Sequence, residues 1–176
     1  DKTDSLFVRM DHFDISLLNS FLMQGKMELK GQATGQASLI SPSKPSMGLL
    51  AGITCDSTYL AGRPMGTLDV TSLWNDPEKR FDFRLRNRQD NYVRNFDIDG
   101  YLRPKDKAIR ADAVLNQLDL AYAAPFLAGV FDRFSGGLNG KLSVDGTLDK
   151  LQISSEGMEI VNGLLGVEFT QVPYRV

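Results

Sequence analysis

The sequence predicts a mainly β protein of antiparallel strands with two short amphipathic helices. Three observations carry this. Apolar and polar residues alternate with a period of two through most segments, turn-forming clusters separate those segments at short intervals, and two stretches switch to helical spacing. A period of two gives a strand one dry face and one wet face. Parallel strands buried on both faces read as continuous apolar runs, so clean alternation argues for antiparallel strands with one solvated side.

Taken in order, Met27 and Leu29 alternate with Lys26, Glu28 and Lys30, and Phe81, Phe83 and Leu85 with Asp82, Arg84 and Arg86. Phe96, Ile98 and Leu102 stand opposite Asp97, Asp99 and Tyr101. Ile109, Ala111, Ala113 and Leu115 oppose Arg110, Asp112 and Asn116, and Leu138, Leu142 and Val144 oppose Asn139, Lys141, Ser143 and Asp145. Turn chemistry falls between at meander spacing: Ser41 to Pro45, Asn75-Asp76-Pro77, Arg88 to Asn91 and Pro104-Lys105-Asp106. Asp145-Gly146 and Asn162-Gly163 read as hairpin dipeptides able to take positive φ. This spacing predicts about ten strands, mostly joined to their sequence neighbours.

Two stretches break the period. Asp14 to Leu22 and Leu118 to Leu127 place apolar residues at helical spacing, with Asp14 and Asp119 at N-cap positions. Helices are expected near 14–22 and 118–132, with Pro125 in a first turn or kinking the second.

The same two stretches expose a repeat. Asp14 and Asp119 are 105 residues apart, and that offset without a gap pairs Phe21 with Phe126, Leu22 with Leu127, Gly31 with Gly136, Gly35 with Gly140, Ser38 with Ser143, Gly52 with Gly157 and Leu60 with Leu165. The unit is a helix, then Gly-x-x-x-Gly leading into alternating strands. Residues 1–115 form one copy and 116–176 part of a second, in one continuous sheet. Repeats of this kind stack so that neighbours cover each other. The second copy stops mid-pattern at Val176, so the chain reads as a piece of a longer one, and a piece cut in this way is expected to self-associate through uncapped edges.

Composition narrows the function classes. The 176 residues are 42% hydrophobic and 24% charged, and 20 basic against 22 acidic residues give a net charge of −2. No field exists to hold a polyphosphate, which argues against nucleic acid. No apolar run approaches the roughly 18 residues of a membrane helix, and Asp1-Lys2-Thr3-Asp4 lacks the layout of a signal peptide. Cys55 and His12 are the sole cysteine and histidine, too few for a zinc cage.

The run Phe134-Ser-Gly-Gly-Leu-Asn-Gly-Lys-Leu-Ser-Val-Asp-Gly-Thr-Leu-Asp-Lys-Leu-Gln-Ile, preceded by Leu118-Asp-Leu and followed by Val161-Asn-Gly-Leu-Leu-Gly-Val-Glu-Phe-Thr, resembles the repeat of the TamB family. These translocation and assembly module proteins of Gram-negative envelopes are relatives of the AsmA-like proteins. The likeness covers residues 116–176 closely and 12–60 well; residues 61–115 agree only in their alternation. It implies a curved, half-open β-trough, or β-taco, lined with apolar side chains and spanning the periplasm from an inner-membrane anchor to an outer-membrane β-barrel assembly-type partner. Both contacts lie in parts of the chain outside this one. Two roles are implied: phospholipid transport between the membranes along a hydrophobic groove, and assistance to outer-membrane protein assembly.

Other chemistry has weaker footing. His12 and Cys55 carry no nucleophile signature around them, so no catalysis is expected. Asp97-Ile98-Asp99-Gly100 lacks the ligands of a calcium loop, and no metal or cofactor is expected. Arg80, Arg84, Arg86, Arg88 and Arg94 make a basic stripe that reads as a solubilising face rather than a headgroup site. Gly31, Gly35, Gly136 and Gly140 do not follow a strand and open a helix as phosphate loops do, so they read as bulges or close approaches.

The collective feature is one large apolar face that two short helices cannot cover. The expected function is therefore a non-enzymatic lipid conduit, with acyl chains against Leu29, Leu39, Phe83, Leu85, Ile98, Ile109, Leu142 and Val144. The alternative is a scaffold whose exposed edge pairs with strands of unfolded outer-membrane proteins.

Overall fold

The computed structural model describes residues 5–19, 28–40, 48–89, 94–123, 133–147 and 149–166. Among these the alternating segments become nine strands: β1 (Ser5–Asp14), β2 (Leu29–Ile40), β3 (Gly48–Leu60), β4 (Arg63–Asn75), β5 (Arg80–Arg88), β6 (Phe96–Arg103), β7 (Ala108–Asp119), β8 (Arg133–Thr147) and β9 (Lys150–Gly166). They form one antiparallel sheet in chain order, each strand paired with its sequence neighbours, and β1 and β9 are its unclosed edges.

The two amphipathic helices expected near 14–22 and 118–132 are not found among the described residues. Each place holds one 3-10 turn, Ile15–Leu18 and Leu120–Ala123; residues 20–27 and 124–132 lie outside the described ones. The capping reading survives in smaller form, because Asp14 Oδ1 accepts from the Ser16 amide at 2.9 Å and Asp119 Oδ1 from the Ala121 amide at 2.8 Å. Asn19, in helical backbone at φ −58° and ψ −37°, is tied to the start of β2: its side chain donates to Leu29 O and accepts from Leu29 N, both at 2.9 Å.

Two dipeptides read as hairpin turns lie inside strands instead. Asp145-Gly146 belongs to β8 and Asn162-Gly163 to β9. Asn162 does take positive φ, at 52°, but as a bulge: the β8–β9 register shifts between Ser135 and Gly137. The turns at 76–79 and 104–107 fall where Asn75-Asp76-Pro77 and Pro104-Lys105-Asp106 put them.

The offset of 105 recurs in the backbone. His12 and Gln117 have φ of 51° and 48°, and Ser57 and Asn162 have 51° and 52°. The pairs Met10↔Gly35, Phe13↔Ala33 and Asp14↔Gln32 have as counterparts Leu115↔Gly140, Leu118↔Leu138 and Asp119↔Gly137. The equivalence reaches back through β7, so residues 110–119 stand in the place of 5–14. It explains the shared glycines, since a Cβ on Gly35 would come 2.8 Å from Ile53 Cα and one on Gly140 2.9 Å from Met158 Cα. The strands approach too closely there for a side chain.

Directly paired residues share a sheet face, so one face can be followed strand by strand. Met10, Gly35, Ile53, Val70, Leu85, Ile98, Ala113 and Leu142 form one continuous cross-strand row. Ser72, Phe83, Gly100, Ala111, Val144 and Ile153 form a second, and Trp74, Phe81, Leu102, Ile109, Gly146 and Leu151 a third. At the end of the strands that carries the bulges and 3-10 turns, Ile15, Ala33, Cys55, Leu68, Phe96, Ala113 and Leu115 make a buried cluster on this face. That end is tied by a polar ladder. Asn87, 2% exposed, accepts from the amides of Asn95 and Phe96 at 2.9 Å, while Asn95 Nδ2 donates to the carbonyls of Asn116 and Gln117.

Candidate functional site: the apolar sheet face

Of the eight side chains expected to line a groove, seven are described; the Leu39 side chain lies outside the described ones, although its backbone pairs with Leu49. The seven are all half-buried. Leu85, Ile98 and Leu142 sit in the first row, Phe83 and Val144 in the second, and Ile109 in the third. Leu29 stands apart at the bulge end. Leu29, Leu85, Ile98 and Leu142 pack against the buried cluster, so these four border a dry core. Phe83, Ile109 and Val144 lie toward the hairpin end, where the face opens.

Among the described residues the sheet has no second layer over this face. The two 3-10 turns pack chiefly beside β2 and β8. The edge strands leave large apolar side chains in water: Leu6 is 56% exposed and Ile153 69%. The second row is built of small residues at Ser72, Gly100 and Ala111, between rows of large ones. Phe83 reaches across it, since a Cβ on Gly100 would lie 2.7 Å from Phe83 Cζ.

Two contacts cross the sheet at the bulge end. Tyr122 Oη donates to Pro64 O, and Arg63 Nη1 lies 3.5 Å from Asp119 Oδ2, joining the end of β7 to the start of β4 over two intervening strands. Burial of Tyr122 raises its phenol above the usual range.

The opposite face is charged and internally paired. Arg86 bonds Asp97 at 2.8 Å, Arg80 bonds Asp82 at 2.7 Å, Arg84 bonds Asp99, and Arg88 lies 3.9 Å from Asp69. The arginine stripe thus faces carboxylates of the same sheet, and Asp97 and Asp99 are partners of arginines. Hydrogen bonding to Asp99 pushes the Arg84 guanidinium further up. Asp112 accepts from Ser143 at 2.7 Å and from Arg110 at 3.2 Å, which holds its carboxyl below the usual range, the Ser143 bond contributing most. Departures from alternation also appear on this side: Leu50 and Leu73 are paired neighbours, 54% and 58% exposed.

His12 and Cys55 form no dyad. His12 is exposed and bonded to Asp11 at 2.7 Å, while Cys55 belongs to the buried cluster, where desolvation, with Asp56 and Asp69 adding to it, pushes the thiol up. A nucleophilic cysteine needs the reverse shift. A concavity of about 630 Å³ lies at the bulge end and is lined largely by polar residues including Asp56, Thr67, Gln89 and Asn95. Neither that concavity nor the Asn87–Asn95 ladder was legible from alternation, which carries no signal for a buried amide. Comparison with protein-family models, curated proteins and solved structures finds no match to this chain.

Proposed function

We propose that the apolar face binds acyl chains and that the chain is a segment of a non-enzymatic phospholipid conduit. The observation that carries the reading is the register. Eight consecutive ladders bring the three rows of apolar residues to one side, and no second layer covers that side among the described residues. At about 4.8 Å between strands this face runs roughly 38 Å along the sheet, far more than an isolated surface leucine. Each methylene withdrawn from water against it contributes about 0.8 kcal/mol, so a chain of a few carbons is held without a polar anchor.

The shape belongs to the same proposal. In a flat sheet β4 and β7 lie about 14 Å apart. The Tyr122–Pro64 and Arg63–Asp119 contacts therefore support a sheet curved toward its bulge end into a half-open trough, whose floor is the buried cluster and whose open part runs past Phe83, Ile109 and Val144. The pairing of the arginines with aspartates supports a path without headgroup recognition. The resemblance to the TamB family adds the periplasmic setting and the barrel partner, each through parts of the chain outside this one. The two unclosed edges, β1 and β9, support the alternative reading, a scaffold pairing with outer-membrane protein strands.

Organic extraction of the purified protein followed by lipid mass spectrometry tests the reading. Phospholipid at a fixed ratio to protein is expected. A well-folded sample that carries no lipid and takes none from vesicles contradicts it.

A further inference from the structure

We infer that Asn162 is a self-modification site: the chain converts it, without an enzyme, to aspartate and isoaspartate, while the fold holds back the other Asn-Gly dipeptide, Asn139-Gly140. The inference is independent of whether the sheet face binds lipid. In the step, the Gly163 backbone nitrogen loses its proton and attacks the Asn162 Cγ carbonyl; ammonia leaves, a cyclic succinimide remains, and water opens it at either carbonyl. Opening at the side-chain carbonyl gives aspartate. Opening at the main-chain carbonyl gives isoaspartate, with the main chain now routed through the former side chain. A glycine follows both asparagines, so no Cβ shields either attacking nitrogen.

What separates the two dipeptides is how the ladder holds them. Asn139 is half-buried, its Oδ1 accepts from the Gln117 amide at 2.7 Å, and its backbone pairs with Glu159 while Gly140 pairs with Leu115. Its Cγ cannot turn onto Gly140 N until that bond breaks and the ladder opens locally. Asn162 is exposed, has φ of 52° and falls between pairs, since the β8–β9 register passes from Gly137↔Val161 to Ser135↔Leu164. A strand alongside does not close such a position. Ser57, the counterpart 105 residues earlier, stays exposed although β4 pairs beside it, because that register also steps, from Cys55↔Leu68 to Thr58↔Gly66. The isoaspartate product acts on the ladder. A Cβ on Gly136 would lie 2.6 Å from Gly163 Cα, so the added main-chain carbon has no room there. The pairs beyond the bulge, Ser135↔Leu164, Phe134↔Leu165 and Arg133↔Gly166, then loosen.

The test incubates the whole chain in mildly alkaline buffer and maps the gain of about 1 Da per event by peptide mass spectrometry, with isoaspartate read by isoaspartyl methyltransferase labelling. Gain at Asn162 is expected to be at least about fivefold faster than at Asn139, since breaking the one Asn139 side-chain bond by itself accounts for that factor. In urea the two rates are expected to converge, because unfolding removes what separates them. Equal rates in the folded chain, or a gap that persists in urea, overturns the inference. Asn162→Ser, which installs the residue found at position 57, is expected to fold and to lose the faster phase of the gain; a fast phase that persists overturns it. In the isoaspartate fraction amide hydrogen exchange at residues 164–166 is expected to rise. Exchange unchanged from the unmodified chain overturns the effect on the ladder.

Discussion

His12 and Gln117 are one structural position occupied twice. They lie 105 residues apart, both take positive φ, and each gives its amide hydrogen to a side chain on the next strand: His12 N to Thr34 Oγ1 at 3.3 Å, Gln117 N to Asn139 Oδ1 at 2.7 Å. The acceptors are also 105 apart, yet differ in type. What repeats is the requirement for an oxygen to meet a bulge amide that the ladder leaves unpaired. Asn139→Val is expected to cost about 0.5–1.5 kcal/mol by removing that bond from an exposed amide, and Asn139→Thr less. Urea unfolding of the two variants checks it.

The Asn87 side chain accepts two backbone amides and donates to Met65 O and Asn95 Oδ1 while buried. Asn87→Leu leaves several of these groups without partners and is expected to destabilise by about 2–5 kcal/mol. Thermal melting should show a fall well beyond that of Asn116→Leu, which alters an exposed amide on the neighbouring rim.

Gly100 and Gly52 separate close approach from mere flexibility. A Cβ at Gly100 meets the Arg110 carbonyl and the Phe83 ring, whereas one at Gly52 meets nothing within 4 Å. Gly100→Ala is expected to cost about 1–3 kcal/mol. Gly52→Ala should be neutral, or stabilise by about 0.4–1 kcal/mol. Paired denaturant midpoints decide it.

Asp112 supplies a pH test. Its carboxyl is held below the usual aspartate value, first by Ser143 and then by Arg110. A depressed folded-state pKa contributes stability that is present above the unfolded value and is lost as pH falls through the folded one. Ser143→Ala should raise the Asp112 pKa toward 3.8 in an NMR titration and flatten the acid limb of stability below that pH.

How much of this was legible in the sequence depended on period. Phe81, Phe83 and Leu85, alternating with charged residues, gave both the strand and the face, and cross-strand pairing then put Leu85 beside Ile98. The caps at Asp14 and Asp119 were legible, each accepting from the amide two residues on, whereas the described residues hold one 3-10 turn at each place and not the expected helix. The bulges at His12, Ser57 and Gln117 carry no glycine and so no local signal. Their positions become visible only through the offset that relates them. The site was legible as a face and not as a path: nothing in alternation separates Leu85, against the buried cluster, from Ile109, beyond it.

The central claim is that this face is open to acyl chains. Ile109→Asp puts a carboxylate into the third row, in the open part of the face, and Thr71→Asp puts the same group on the opposite face, opposite Arg84. The measurement is phospholipid bound per chain after incubation with vesicles, with unfolding of the same samples followed by urea. In a sealed core the buried charge would cost several kcal/mol and abolish folding; on an open face it reaches water and costs about 1–2 kcal/mol of packing. The account predicts that Ile109→Asp folds cooperatively and holds far less lipid than either wild type or Thr71→Asp. An Ile109→Asp chain that fails to fold while Thr71→Asp is normal, or one that folds and holds lipid as wild type does, contradicts it.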